Sequence, residues 1–381
     1  MSILERDEVS VEVVPRARTL APFFRASLRP LLIFALSRLL VLGTNDVIAA
    51  KNHRGLLGLL TNWDSGFYIW TAIIGYPQHL AAVGHQNGLG FFPFVTVLTR
   101  LTHWLTLWNF QLSGVVGTSV VAAAAAVAVW WMLRDYFDLG GADRGTLLVF
   151  VSPGAFVLSM AYSEGGIILF GALSLLALHR RQWVWAGIAA AVATTCDPVG
   201  LVAVLPCAVA ALQALWQRRE WRALWAPVLA PSGAGLFFFY LWRHVGTPLA
   251  YFIAQRRGWQ NGALGSGISP ALRALAHPSM VNLAYFAKGV GLVILPIVLW
   301  WAWRQRRQFP VSWWGFIGGC VVLGLASATV VISPRLLLRD FPLLAVVGAT
   351  LPRRVFWVVA AVSALAMCAL TVATSTLFYI P

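Results

Sequence analysis

Five acidic or basic side chains in this sequence have the type and setting for chemistry rather than solvation: Asp64, Glu164, Asp197, Asp340 and Arg335. Each interrupts apolar sequence beside an aromatic residue, a glycine or a proline. A carboxylate so placed can take a proton from a hydroxyl. A guanidinium can hold an anion through two parallel hydrogen bonds. Asp64 leads the acids. It lies in Asn62-Trp63-Asp64-Ser65-Gly66-Phe67-Tyr68-Ile69-Trp70, which closes on Gly75-Tyr76-Pro77. Trp63, Phe67, Trp70 and Ile74 recur at helical spacing, so an amphipathic helix at a membrane interface is expected, with Asp64 in its first turn. The plainer alternative is a carboxylate that only caps that helix.

The elements that must position these residues are membrane spans. Of 381 residues, 59% are hydrophobic and 11% charged, more apolar than a soluble fold can hide. Apolar runs lie at roughly 30–50, 91–108, 111–133, 146–161, 162–179, 183–196, 198–213, 223–243, 284–303, 311–332, 335–350 and 355–379, at lengths suited to a bilayer. The fold expected is an all-α polytopic membrane bundle of about eleven spans plus one re-entrant or tilted segment at 91–108. Residues 1–29 mix Glu5, Asp7, Glu8 and Glu12 with five arginines and read as a cytoplasmic tail. Residues 30–381 then form a single transmembrane domain, with outer loops at about 51–90 and 244–283.

The net charge of +15 comes almost wholly from arginine, Lys51 and Lys288 being the only lysines. That bias points to a GC-rich bacterial genome and hence a bacterial plasma membrane. The clusters Arg134/Arg144, Arg180/Arg181, Arg218/Arg219/Arg222, Arg304/Arg306/Arg307 and Arg353/Arg354 read as cytoplasmic span ends, not as a nucleic-acid surface. This orientation requires outward hairpins at Tyr162-Ser163-Glu164, Cys196-Asp197-Pro198 and Ser333-Pro334-Arg335. Of thirteen acids, eight fall in the inferred cytoplasmic tail and loops, and the others are Asp46, Asp64, Glu164, Asp197 and Asp340. Four of those five land on the outer side. Ionisable groups at such depth tend to be retained for function.

Each has a bland counterpart. Asp197 before Pro198 is a helix N-cap with proline at the first position. Glu164 favours a helix N-terminus, with Ser163 as a possible cap. Asp46 could pair with Lys51 or Arg54. Arg335 could snorkel to the interface, and Arg339 with Asp340 reads as a buried ion pair. Arg256, Arg257 and Lys288 could assist Arg335 or face headgroups. The four cysteines lack metal-ligand spacing, and His79, His85, His244 and His277 lack it too, so no metal and no cofactor is expected. Most of the nineteen tryptophans are interfacial; Trp63 and Trp259 are the two set apart as candidate site residues.

Several motifs, in order, resemble those of the PIG-V family, the second mannosyltransferases of GPI-anchor assembly, which also has bacterial members. Trp63-Asp64-Ser65-Gly66-Phe67-Tyr68 is similar to the family's Trp-Asp-Ser segment. Phe91-Phe92-Pro93-Phe94 looks like its Phe-Phe-Pro-Leu. Ser152-Pro153 with Ala161-Tyr162-Ser163-Glu164 is similar to its Ser-Pro…Pro-Tyr-Ser-Glu hairpin. Gly246-Thr247-Pro248-Leu249-Ala250 with Gln255 and Trp259 resembles Gly-Asp-Pro-Leu-Ala…Gln…Trp, and Pro334-Arg335 a late Pro-Arg. The likeness covers roughly residues 30–350. It implies a GT-C fold and a polyprenyl-phosphate sugar donor, with Asp64 as catalytic base. Trp63, Ser65, Tyr68, Glu164, Gln255, Trp259 and Arg335 would bind substrate. Two departures stand out: Cys196-Asp197-Pro198 replaces a frequent Thr-Arg-Pro, and Thr247 replaces an aspartate.

The expected reaction is inverting transfer of a sugar, mannose by resemblance, from a polyprenyl-phosphate carrier to a hydroxyl on the non-cytoplasmic face. Expected partners are the lipid-linked donor, membrane lipids, and a glycolipid, polysaccharide or protein acceptor; a monomer is compatible with this. A flippase for a lipid-linked sugar is the rival from another class, and would need polar groups along a path through the bilayer. A scaffold subunit is a third, and leaves the outer-loop motif without purpose.

Overall fold

The computed structural model describes residues 20–53, 55–259, 263–279, 281–327 and 331–380. Residues 1–19, most of the expected tail, lie outside the described residues, as does Arg54. The first helix, α1 (Leu20–Asn52), carries Pro30 in its interior. Two short helices follow, α2 (Leu56–Leu60) and α3 (Asp64–Ile74), then α4 (Pro93–Thr106) and the long α5 (Phe110–Arg134). Next come α6 (Leu139–Phe150), a 3₁₀ segment Pro153–Ser159, α7 (Glu164–His179) and α8 (Trp183–Ala193). After the 3₁₀ segment Pro198–Ala203 run α9 (Val204–Arg218), α10 (Trp225–Leu229), α11 (Ser232–Val245), α12 (Ala250–Trp259) and α13 (Ile268–Ala276). The chain closes with α14 (Leu283–Arg304), α15 (Val311–Ala326), α16 (Pro334–Arg339), α17 (Phe341–Thr350) and α18 (Arg353–Ser375).

Among the described residues, six stretches are long and apolar enough to cross a membrane alone: Arg25–Asn52, Phe110–Arg134, Pro198–Arg218, Trp221–Val245, Leu283–Arg304 and Arg353–Ser375. The pair Pro153–Ser159 and Glu164–His179, bent by 104°, makes a seventh if taken as one broken span. The apolar run at 146–161 is therefore not one helix. Pro153 removes a backbone donor and ends α6, and the chain turns through 3₁₀ geometry before Glu164. Likewise 335–350 breaks at Asp340, where Pro342 opens α17.

Small residues let these helices approach. Gly145 on α6 leaves no room for a methyl, since a Cβ there would lie 2.6 Å from the Ala345 carbonyl oxygen of α17. Gly165 packs α7 on Ala122 of α5 in the same manner. Local caps agree with the pattern: Asn109 accepts from Leu112 N–H at 2.8 Å to start α5, and Asp138 from Gly141 N–H at 2.8 Å to start α6. Arg38, buried in α1, donates to the Ala155 and Phe150 carbonyls at 2.7 and 3.0 Å and to Ser159 Oγ at 3.1 Å. It thereby satisfies carbonyls that the 3₁₀ break would otherwise strand in an apolar setting.

The helices give the bundle two chemically different ends. α5, α7, α9 and α14 end at Arg134, His179 beside Arg180, Arg218 and Arg304, while α18 begins at Arg353. The opposite end carries Glu164 at the start of α7 and Ser375 at the end of α18, which donates to Asn45 of α1 at 2.6 Å. Helix α4 is only 14 residues, about 21 Å at 1.5 Å per residue. Its start is tied to Thr195 through Phe94 N–H at 3.1 Å. The first turns of α5 lie at this same end, where Thr118 donates to the Met160 carbonyl at 3.0 Å. Both ends of α4 therefore lie toward this end of the bundle.

Candidate functional site

Three turns expected from the sequence meet at the end of the bundle remote from the arginine clusters. Helix α7 starts at Glu164, α16 at Pro334, and Asp197 precedes Pro198. Ser333 starts α16 by accepting from Leu336 N–H at 3.2 Å, which sets the face that Arg335 and Arg339 share, four residues apart. Asp197 both accepts from Val199 N–H at 3.0 Å and receives Arg339 Nη2 at 3.1 Å. Capping and ion pairing are thus the work of one side chain, with one oxygen for each.

The charged groups form one chain. Arg335 donates from Nη1 to Asp64 Oδ2 at 3.0 Å and from Nε to Glu164 Oε1 at 2.7 Å. Arg339 donates from Nη2 to the same Glu164 Oε1 at 2.8 Å. Asp64–Arg335–Glu164–Arg339–Asp197 is therefore continuous, three carboxylates against two guanidiniums. Burial decreases outward, the Glu164 side chain being 0% exposed and that of Asp64 27%. The expected Arg339–Asp340 pair is not formed: adjacent residues on a helix do not face each other, and Arg339 points to Glu164 and Asp197 instead. Asp340 Oδ1 is buried with no hydrogen-bond partner.

Asp64 is not a capping carboxylate. Trp63 occupies the N-cap of α3 and makes no side-chain cap bond. Burial raises the carboxyl of Asp64 above its ordinary range, while the Arg335 charge and hydrogen bond pull it down. Tyr162 steadies both partners, its ring centroid 4.6 Å from Arg335 Cζ and its hydroxyl oxygen accepting from Asp64 N–H at 3.2 Å. Trp63 has φ +58° and ψ −130°, a backbone conformation that side chains disfavour. Such strain tends to sit at functional positions.

The remaining expected site residues fall into two groups. Trp63 turns its ring away from the helical stripe, donating from Nε1 to the Thr374 carbonyl of α18 at 3.3 Å. Ser65 is fully buried against the Leu60 carbonyl, and Tyr68 is buried near the carboxylates of Asp197, Asp64 and Glu164. The exposed apolar face of α3 is made by Trp70, Ile73 and Ile74. Gln255 and Trp259 lie on α12, which packs on Phe67 of α3 and on the stretch between α3 and α4. Gln255 donates to the Gly90 carbonyl at 2.9 Å, and Trp259 meets Phe67 and Phe91 with centroids 5.9 and 5.5 Å away. A Cβ on Gly90 would reach Trp259 at 2.7 Å, so only glycine admits that ring.

Tyr251, one turn before Gln255 on the same face of α12, feels the charges of Asp197, Arg339 and Asp64. Tyr251, Tyr162 and Arg339 are not among the site residues expected from the sequence; the four-residue spacing from Arg335 and from Gln255 is the available signal for two of them. Asp46 is exposed and makes no ion pair with Lys51 among the described residues. The arginines Arg256 and Arg257 are not in the chain of ion pairs; Arg257 donates to the Ala81 carbonyl at 3.3 Å. Lys288 lies over the Tyr285 ring at 5.0 Å.

A multi-pass helical membrane protein with paired acids and arginines at one end is thus defined. No protein-family profile and no curated protein sequence matches the chain. Among solved structures, it is similar to ArnT from Cupriavidus metallidurans, determined with undecaprenyl phosphate bound, at a TM-score of 0.53 and 17% identity. The match covers 87% of this chain and 62% of that one, so this chain spans less than two thirds of that protein's length. The likeness is one of fold.

Proposed function

We propose that this chain is an inverting glycosyltransferase that takes its sugar from a polyprenyl-phosphate carrier, as a PIG-V-like member of the GT-C proteins. The observation that carries the reading is the contact of Asp64 with Arg335 over Tyr162, a base candidate and a phosphate ligand in one place. The fold it shares with a protein solved with undecaprenyl phosphate supports the same donor class.

In the reaction, an acceptor hydroxyl oxygen attacks C1 of the sugar from the face opposite the phosphate. The C1–O bond to phosphate breaks and its electron pair stays on the phosphate. The hydroxyl proton passes to Asp64, and the configuration at C1 inverts, as with a single base acting across the ring in inverting glycosidases. Arg335 stabilises the charge that develops on the leaving phosphate. Gln255, Trp259, Ser65, Tyr68 and Glu164 bind or shape the substrate pocket, and Trp63 holds the start of α3.

Orientation and topology belong to the same reading. With the arginine clusters facing the cytoplasm of a bacterium, the acid–arginine chain faces outside. Eleven crossings with α4 as a segment that does not cross accommodate every cluster on one side. Purified protein incubated with membrane lipids and a panel of radiolabelled polyprenyl-phosphate sugars, mannose first, tests the activity. Labelled product supports it, and movement of donor across vesicles without turnover would replace it with a flippase. A single cysteine at exposed Val83 should react with a membrane-impermeant thiol reagent in intact cells.

A further inference from the structure

Asp64 and Arg335 hinder each other in the state described. A carboxylate 3.0 Å from a guanidinium is a weakened base, because taking a proton forfeits a charge-assisted hydrogen bond. A guanidinium whose Nη1 and Nε serve Asp64 and Glu164 is correspondingly less available to a phosphate. Resting on the reading of the site as a polyprenyl-phosphate glycosyltransferase, we propose that the carrier phosphate competes with Asp64 for Arg335, so that donor binding itself releases Asp64 to act as base. The acceptor then meets an armed base only when the donor is in place.

The geometry says which acid gives way. Glu164 is 0% exposed, and its Oε1 is shared by Arg335 Nε at 2.7 Å and Arg339 Nη2 at 2.8 Å. Moving it would take a shared, fully buried anion from two guanidiniums at once, at a higher cost than moving one more exposed carboxylate. Among the described residues Asp64 has one ionic contact, the longer one to Arg335, and a side chain 27% exposed. Two features allow an exchange without rebuilding the site. The Tyr162 ring supports the guanidinium whichever anion it holds, and the Tyr162 hydroxyl fixes the Asp64 backbone, so rotation of one side chain is enough. Charge favours the exchange being completed by reaction. Three carboxylates and two guanidiniums already leave one negative charge in excess, and a carrier phosphodiester adds another. The proton that Asp64 then takes from the acceptor offsets the charge gained by the leaving phosphate.

The test is a double-mutant cycle on binding of a short-chain polyprenyl phosphate to the purified full-length protein, with the matching polyprenol as baseline. Asp64→Asn should abolish transfer yet tighten polyprenyl phosphate binding about tenfold, a coupling typical of charged groups in contact. In an Arg335→Gln background the same Asp64→Asn change should leave binding unmoved, since no guanidinium remains to compete for. Asp64→Ser repeats both arms if the asparagine protein melts early. Tightening that persists without Arg335 would mean simple repulsion and overturn the proposal, as would unchanged or weaker binding by Asp64→Asn, while loss of transfer would still uphold the enzyme reading. Full transfer by Asp64→Asn would overturn both.

Discussion

The two ends of this bundle use the same residue for opposite purposes. At one end, arginines are dispersed and exposed, and lie over tryptophans: Arg304 Cζ is 5.2 Å from the Trp300 ring and Arg306 Cζ 4.7 Å from Trp303. Their ion pairs are exposed, as with Arg29 and Asp143, whose side chains are 53% and 30% exposed. At the other end Arg335 and Arg339 are 11% and 5% exposed and share three carboxylates. Exposed pairs contribute little because water and salt screen them, whereas a buried pair cannot lose one member cheaply. An arginine count alone therefore says nothing about a site. What matters is whether the guanidinium has been taken out of water and given more than one anion.

The comparison breaks most readily at Asp64. Asp64→Ala removes the proposed base from the paired end, and transfer should fall by about 10²–10⁴-fold, the range for losing general base catalysis, with the protein still folded. A radiolabel assay on protein of unchanged melting temperature checks it. Next in size is Arg339→Met. It leaves Glu164 and Asp197 without their shared partner, and breaking a buried pair costs about 3–5 kcal/mol. Thermal melting in detergent should show the loss, and Asp197→Asn, which keeps the cap oxygen, should show much less. Should the two variants melt alike, the chain of ion pairs is not what holds these turns together.

A smaller effect is expected at the rim. Gln255→Ala removes the bond to the Gly90 carbonyl that docks α12 on the stretch before α4. Its cost should be on the order of 1 kcal/mol, read as a raised KM for donor or acceptor with kcat changed less. If kcat falls as far as with Asp64→Ala, α12 reaches the reacting atoms rather than the pocket wall.

Much of the architecture was legible, because spans declare themselves by apolar length: six of the runs read from sequence coincide with the six long stretches. The breaks were harder. Apolar composition continues across Val151 and Ser152, and only Pro153 hints that the helix stops there. Within the site, Asp64, Glu164 and Arg335 stood out because each sits beside a turn signal in otherwise uncharged sequence. Arg339 did not, because its neighbour Asp340 offered a plausible local partner. The pairing that forms instead spans 142 residues to Asp197 and 175 to Glu164. Contacts at that separation are set by how turns from different hairpins converge, which no local periodicity encodes. Asp197 shows the opposite error. A capping role fully explains Asp-Pro in sequence, and nothing local shows that the second oxygen is spoken for.

The smallest effect belongs to the exposed end, and it sharpens the comparison by being small. Arg304→Gln with Arg306→Gln removes two charges that touch ring faces and water but no carboxylate among the described residues. Each exposed cation–π contact contributes about 0.5–1 kcal/mol, and glutamine keeps part of the packing of the stem. Melting should therefore shift by no more than a few degrees, and specific transfer activity of the purified protein should not change. Insertion is where these charges act: orientation follows from the sum of basic residues near span ends, and four other clusters on the same side remain to set it. A double variant that inserts correctly but loses transfer would show that this end communicates with Asp64, and the division of labour between the two ends would fail.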